Sequence, residues 1–427
     1  MRYGVSTLIA VLVVSVAVVG CENADADPAG GPTRKGNEPK STYRTTGPVA
    51  EAPIQVGCWT PLKVEAPPYV FPMVYMRWHY DMSVEEYADK IVADIKSRSA
   101  DQPIWLQTHA WFGNYKPRDP QNAIAHELDA TPQGTPGIWP DKGLDKWRKR
   151  HDELLRRLHE AGCRLDAWPL DNETKVSMWA HNYRGKDVFI NMVRDPRWDS
   201  EPIMGVFKAG SHFMSRKEIE AADDPNRAAH ALIAPLGAYM RDHVFDKYFA
   251  GPVLEYYPHA EVSDYGRMPG RAGRWFASPE TIRLIERKAF YLDGLEGVGN
   301  RSAIVLYGSG DPKDDSLGVM IELLDFYIEQ AGDARLVTPW ITAPNWGLYS
   351  YDYKTKELTK NPEANRRLTD AEWEEMILTC VRRGVRRFIL WNTPRAGHDT
   401  PECERTMVRV FEKAAALAER LDAQAKD

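Results

Sequence analysis

The sequence holds no C-x-x-C pair: its 5 cysteines, Cys21, Cys58, Cys163, Cys380 and Cys403, stand far apart, which excludes a zinc ribbon and a thioredoxin-type motif. It has no H-E-x-x-H and no paired histidines at helical spacing; His79, His109, His181, His212, His230, His259 and His398 are scattered, so no metal is expected. No G-x-G-x-x-G, G-x-S-x-G or Walker loop follows any strand candidate, which removes the usual support for nucleotide binding and for an elbow-type serine hydrolase. No cofactor is required. Basic excess is missing too: 55 Lys plus Arg against 61 Asp plus Glu give a charge of -6, the wrong sign for electrostatic nucleic-acid binding. What the chain of 427 residues does have is aromatic weight, with 14 Trp and 19 Tyr beside 30 Pro and 30 Gly. Such side chains either fill a large core or line a groove for a flat apolar surface such as a sugar ring.

The amino terminus reads as an address. Arg2 is followed by an uncharged apolar run from Val5 to Val19, then Gly20 and Cys21, the pattern of a secretory signal; an uncleaved anchor is the alternative. Val18-Val19-Gly20-Cys21 resembles a bacterial lipobox, which implies a signal peptide over residues 1–20 and lipidation of Cys21. Residues 21–52 follow with no Ile, Leu, Phe, Met or Trp, too little apolar surface to order themselves, and form a tether with a reach of roughly 30 Å. The expected location is therefore the bacterial cell envelope, periplasmic or outer surface, held to the membrane by lipid. Such a compartment permits disulfides among the remaining cysteines, and buried free thiols are equally compatible with the spacing.

Residues 53–427 alternate strand-like runs with helix-period segments. Strands are expected at Ile54 to Trp59, Val70 to Tyr75, Ile104 to His109, Arg164 to Leu170, Pro252 to Tyr257, Ala303 to Tyr307, Arg335 to Ile341 and Arg386 to Asn392. Helix signals separate nearly all of them. Ser83-Val84-Glu85-Glu86 and Thr369-Asp370-Ala371-Glu372 are capping boxes, Gly384 can close the second helix, and Thr400-Pro401 opens a terminal one. Leu144, Trp147, His151, Leu154, Leu155 and Leu158 form one helical stripe that stops before Gly162. The pattern predicts an α/β fold, a (β/α)8 TIM-type barrel with long insertions at residues 110–143 and 174–215; an open doubly wound sheet is the alternative.

The most informative stretch is Arg164 to Glu173. If a strand runs into its carboxyl-end loop, period-2 alternation puts Asp171 and Glu173 on the same side, where two carboxylates sharing a site would keep one protonated as a general acid. A solvated acidic loop capping the next helix is the other reading. The expected strand to Tyr257 carries Glu255, Tyr256 and Tyr257 into a segment with His259, Asp264 and Tyr265, groups suited to a polar ligand; Glu255 could equally pair with an arginine. Trp78, Gln107, His109, Trp111, Trp340, Trp391 and Asn392 lie at or beyond strand ends, and indole faces with amides and imidazoles make a coherent set for carbohydrate. Each tryptophan taken alone is packing as readily as binding.

In order of segments the chain distantly resembles the hyaluronidase-type glycoside hydrolases. The resemblance is carried by Gly137-Ile138-Trp139-Pro140, the helix from Leu144 to Ala161, Asp171-Asn172-Glu173, a long helical insertion over Ala231 to Ala250, Leu254-Glu255-Tyr256-Tyr257-Pro258, Asp264-Tyr265 and Leu390-Trp391. It implies a barrel and a retaining, substrate-assisted mechanism in which the substrate's N-acetyl group is the nucleophile. Glu173 would then be the acid/base and Asp171 would orient the acetamide, with Tyr256 or Tyr257 assisting. The family's cysteines and its usual Asp-Trp-Glu are not reproduced. Asn172-Glu173 also looks like the Asn-Glu pair of retaining barrel glycosidases, whose nucleophile could here be supplied only by Glu255. The expectation is thus a glycoside hydrolase acting on extracellular polysaccharide, or a non-catalytic carbohydrate-binding lipoprotein on the same scaffold, with no protein partner and no nucleic acid.

Overall fold

The computed structural model describes residues 52–75, 82–109, 142–171, 216–223, 241–264, 301, 303–307, 316–344, 349–351, 355, 358–360, 368–392 and 400–426. The strands in chain order are β1 (Gln55–Cys58), β2 (Val70–Pro72), β3 (Val74–Tyr75), β4 (Leu106–His109), β5 (Ala167–Asp171), β6 (Glu261–Asp264), β7 (Val305–Leu306), β8 (Trp340–Thr342), a hairpin of β9 (Tyr349–Tyr351) and β10 (Leu358–Lys360), and β11 (Arg387–Trp391). Outside the hairpin every pairing is parallel, in two sheets of order β2-β1-β11-β8-β7 and β3-β4-β5-β6.

Only Met73 separates β2 from β3. Its N–H donates to Cys58 O at 2.7 Å on one side, and the next N–H, of Val74, donates to Trp105 O at 2.8 Å on the other. One short chain segment therefore belongs to both sheets, and the spatial series runs β7, β8, β11, β1, β2/β3, β4, β5, β6. Among the described residues no ladder joins β6 to β7, so a closed sheet is not present there. What does bridge that gap is charge: Glu261, first in β6, accepts from Arg301, just before β7, and pairs with Arg387, first in β11.

Alternation along the strands separates two sides. On one, Phe71, Met73, Trp105, Ala167, Ala303, Val305, Trp340 and Ile389 make a single apolar cluster drawn from both sheets, with Phe71 edge-on to Trp105 at 5.3 Å. Gly57 lies here because a Cβ would stand 2.6 Å from the Trp105 ring and 2.9 Å from Met73. On the other side the helices cover the sheets. Helices α1 (Val84–Ser97) and α2 (Lys142–Glu160), the π-helical stretch Arg241–Ala250 and α4 (Gly251–Tyr256) pack over β3 to β6, burying Ile91, Leu154, Leu158, Trp168 and Val262; α3 (Arg216–Glu220) is a single short turn. Helices α5 (Ser316–Ala331), α6 (Asp370–Arg382) and α7 (Pro401–Gln424) pack over the other sheet, burying Met320, Trp373, Phe388 and Phe411.

The helix ends follow the expected chemistry. Ser83 and Glu86 exchange side-chain and backbone hydrogen bonds at 3.1 and 2.9 Å, and Thr369 and Glu372 do so at 3.2 and 2.7 Å. Thr400 caps α7, with Pro401 in the first turn, where its missing N–H costs nothing. Gly162 ends α2 at φ 70°, a backbone region that disfavours side chains.

Two expectations are corrected. The run Pro252 to Tyr257 is not a strand: Pro252 sits in the first turn of α4, and Tyr257 N–H donates to Val253 O at 2.8 Å, an i to i−4 bond. Its proline and β-branched composition suits either state, and burial of Val253 and Tyr257 four apart decides for helix. The strand of this region is β6, a few residues later. Likewise Arg335 to Ile341 opens with a 3-10 turn, Ala334–Leu336, capped by Asp333, and becomes strand only at Trp340. The described part of the expected helix over Ala231 to Ala250 is π-helical. Among the described residues Cys58, Cys163, Cys380 and Cys403 form no disulfide. Among the described residues no helix is long and apolar enough to cross a membrane.

Candidate ligand site at the carboxyl ends of the strands

Because the strands are parallel, their carboxyl ends gather on one side of the molecule. Tyr75 ends β3, Trp59 follows β1, Trp391 ends β11 and Tyr307 follows β7. All four continue the alternation of the interior cluster by one step, and each is half-buried where the residues before it are buried. Tyr75 stacks on Trp59 with centroids 5.0 Å apart and planes 22° from parallel; Tyr307 stacks on Trp391 at 5.6 Å and 19°. Trp59 meets Trp391 edge-on at 6.5 Å, joining the two stacks into one aromatic row. Trp340 lies beneath this row, 1% exposed, with its ring edge-on to Trp59 at 6.1 Å. Between β7 and β11 stands β8, which at this level carries the small Thr342, opposite Trp391 in register, so that Tyr307 and Trp391 can meet across it.

A buried amide adjoins the row. Gln107 is wholly buried in β4, in register with Tyr75; its Nε2 donates to Thr108 O at 3.3 Å while its Oε1 has no hydrogen-bond partner. Asp171 ends β5 in register with His109 of β4. Asp264 ends β6 in register with Leu170. Asn392 is committed elsewhere: its Nδ2 donates to Thr60 O at 2.9 Å, its Oδ1 accepts from Thr60 N at 3.1 Å, and its own carbonyl accepts from the Thr60 hydroxyl at 2.6 Å. The side chain expected to meet a ligand instead ties the ends of β1 and β11 together.

Three other expected site residues are displaced with α4. Glu255 is 65% exposed on the outer helices and pairs with Arg148 at 3.5 Å, the arginine alternative. Tyr256 and Tyr257 stand beside His159 at 5.8 and 5.9 Å, near the end of α2, and Cys163 is close enough to Tyr257 to act on its ionisation. His159 and Cys163 precede β5, so both tyrosines lie toward the amino ends of the strands, away from the aromatic row. Burial pushes the Tyr257 phenol well above its ordinary range, which makes it a poor acid there. Its hydroxyl has no partner, and it belongs to the helix-side core. Glu173, Trp78, Trp111, Tyr265 and Cys21 lie outside the described residues. Among the described residues no group of His, Cys, Asp and Glu could hold a metal ion.

Trp59, Tyr75 and Tyr307 were not among the expected site residues. The signal was present: each is the last residue of an expected strand, at the same phase as the interior cluster.

No family model matches this chain. No curated protein matches it either. Among solved structures it is similar to the glycoside hydrolase domain of PgaB (BpsB) from Bordetella bronchiseptica, at 10% identity over 74% of this chain and 77% of that one, with a TM-score of 0.33. It is also similar to the chitinase ChiW of Paenibacillus sp. str. FPU-7, at 12% identity over 85% of this chain and 43% of that one, with a TM-score of 0.37. Likeness at that level does not establish a shared fold, and function has to be argued from the site.

Proposed function

We propose that the chain is a carbohydrate-active envelope protein, a glycoside hydrolase whose two sheets close as a (β/α)8 barrel and whose substrate polysaccharide lies across the carboxyl ends of the strands. The observation that carries this reading is the half-exposed row Tyr75, Trp59, Trp391 and Tyr307. Stacked aromatic rings at a strand-end mouth form an apolar, rigid surface, and sugar C–H faces pack on its exposed part while ring hydroxyls bond polar groups nearby. The interior cluster drawn from strands of both sheets and the Glu261 bridge between β6 and β11 support closure.

In this reading Glu173, two residues beyond the end of β5, is the proton donor, and Asp171 orients the reacting group. Tyr256, Tyr257 and Glu255 have no part in it, since α4 carries them away from the strand ends. Cys21 is the lipid anchor and residues 21–52 the tether, an arrangement tested by whether Cys21→Ser moves the protein out of the membrane fraction.

The deciding experiment is reducing-end release from a panel of acetamido and neutral polysaccharides by wild type and by Glu173→Gln. Release by wild type alone supports the hydrolase and its acid. Binding without release by either protein would leave a carbohydrate-binding lipoprotein on the same scaffold, and neither binding nor release would overturn the reading.

A further inference from the structure

Gln107 leads beyond that reading. It sits in the middle of β4, directly across the ladder from Tyr75, and two residues beyond Trp105 on the same parity, at the border between the aromatic row and the strands that end in His109 and Asp171. Its amide orientation is settled by chemistry: a carbonyl oxygen can only accept, so the amide nitrogen must be the atom facing Thr108 O at 3.3 Å. The Oε1 is then directed elsewhere, without a partner and wholly buried. Buried acceptors are normally met, as at two partly or wholly buried carboxylates of this chain: Asp166 accepts from Ile104 N at 2.7 Å, and Glu404 from Lys63 N at 2.7 Å and Val64 N at 3.1 Å; the Tyr257 hydroxyl, also unmet, lies in the helix-side core and not beside the row. An unpaired acceptor beside a ligand platform is what remains when the missing donor arrives with the ligand.

We infer that Gln107 is a specificity-determining residue: Oε1 accepts a hydrogen bond from a donor on the rim of a pyranose ring packed against Tyr75. The inference rests on the carbohydrate reading and deepens it by stating what the sugar must carry. Oε1 is an acceptor only, so it selects an O–H or N–H at that rim position and rejects a sugar that presents an ether oxygen or a bare C–H there, because the acceptor would again be left unpaired in an apolar setting. No charge is involved, so the selection is independent of pH across the range where the protein is folded.

The test uses the full chain and two probes, chitohexaose and cellohexaose, with titration calorimetry and thermal unfolding on wild type, Gln107→Leu and Gln107→Met. The expected result is a ten- to hundredfold loss of affinity in both variants for the hexamer that wild type binds, with an unfolding midpoint that is unchanged or raised, since each substitution removes an unpaired buried polar atom. Wild-type binding of chitohexaose alone identifies the donor as the acetamide N–H, and binding of both hexamers identifies a ring hydroxyl. Unchanged affinity in the variants, or loss of folding in both, overturns the inference while leaving the carbohydrate reading intact. Failure of wild type to bind either hexamer overturns the carbohydrate reading and this inference with it.

Discussion

His151 makes the fold acid-sensitive in a definable pH window. It lies on the buried face of α2, wholly excluded from solvent, its ring stacked on Phe249 at 5.1 Å and edge-on to Trp168 at 5.3 Å. Burial pushes the imidazole from 6.5 down to about 3, opposed by a backbone hydrogen bond at Phe249 and reinforced by the nearby Arg148 charge. The folded chain thus keeps His151 neutral between about pH 3 and 6.5, while the unfolded chain protonates it there. The unfolded state binds the extra proton, so stability is fully present above pH 6.5 and is lost as pH falls, by about 1.4 kcal/mol per unit. From pH 6.5 to 5 that amounts to about 2 kcal/mol, a large fraction of the margin of an ordinary domain. Carboxylates held low by arginine, such as Glu153 beside Arg156 and Glu375 beside Arg382, begin to matter only near and below pH 4.5, so the window above pH 5 is clear of them. The assay is urea unfolding at pH 7, 6 and 5 for wild type and His151→Phe. Phenylalanine keeps a ring between Trp168 and Phe249 and does not titrate, so wild type should lose about 2 kcal/mol relative to the variant between pH 7 and 5. Parallel stability curves would refute a buried neutral His151.

Two further substitutions probe the core and the row. Gly57→Ala puts a methyl group where two side chains leave no space, 2.6 Å from the Trp105 ring and 2.9 Å from Met73, both buried, and should cost about 1–3 kcal/mol in the same urea assay; a neutral result would mean that β1 does not approach Trp105 as described. Trp391→Ala removes the ring that joins both stacks, and should weaken hexamer binding at least tenfold, about 1.4 kcal/mol, measured by calorimetry; unchanged affinity would remove the row from the binding surface.

How much of this was legible in the sequence depends on which forces are local. Capping boxes at Ser83 and Thr369, the proline after Thr400 and the glycine after α2 act within a few residues, and the structure has them where the sequence puts them. The parallel strands were legible as short apolar runs between such helices. The run from Pro252 to Tyr257 misled because valine and tyrosine favour strands on average while the helix here is fixed by packing against α2, which no local signal encodes. Everything attached to that strand, Glu255 and the two tyrosines, moved with it. At the site, aromatic residues at strand ends could be read, but not which ones pair. Asn392 looked like a free amide at a mouth; its partner Thr60 lies 332 residues away in the chain, and only the adjacency of β1 and β11 brings them together.

The two ends of the strand array differ in what they carry. At the amino ends, Glu261 is met by both Arg301 and Arg387, and Asp166 by Arg164 at 3.0 Å and the Ile104 N–H. Largely buried charges there are compensated, because removing a partner would leave an uncompensated ion in a low-dielectric setting. At the carboxyl ends, Gln107 keeps an acceptor unpaired beside a row of half-buried aromatic residues. A protein optimised only for stability would fill that position with an apolar side chain and close the row under it. Compensated charge at one end and half-buried aromatic rings at the other divide the array into a part that holds the strands together and a part suited to a ligand, and that division is independent of any likeness to other proteins.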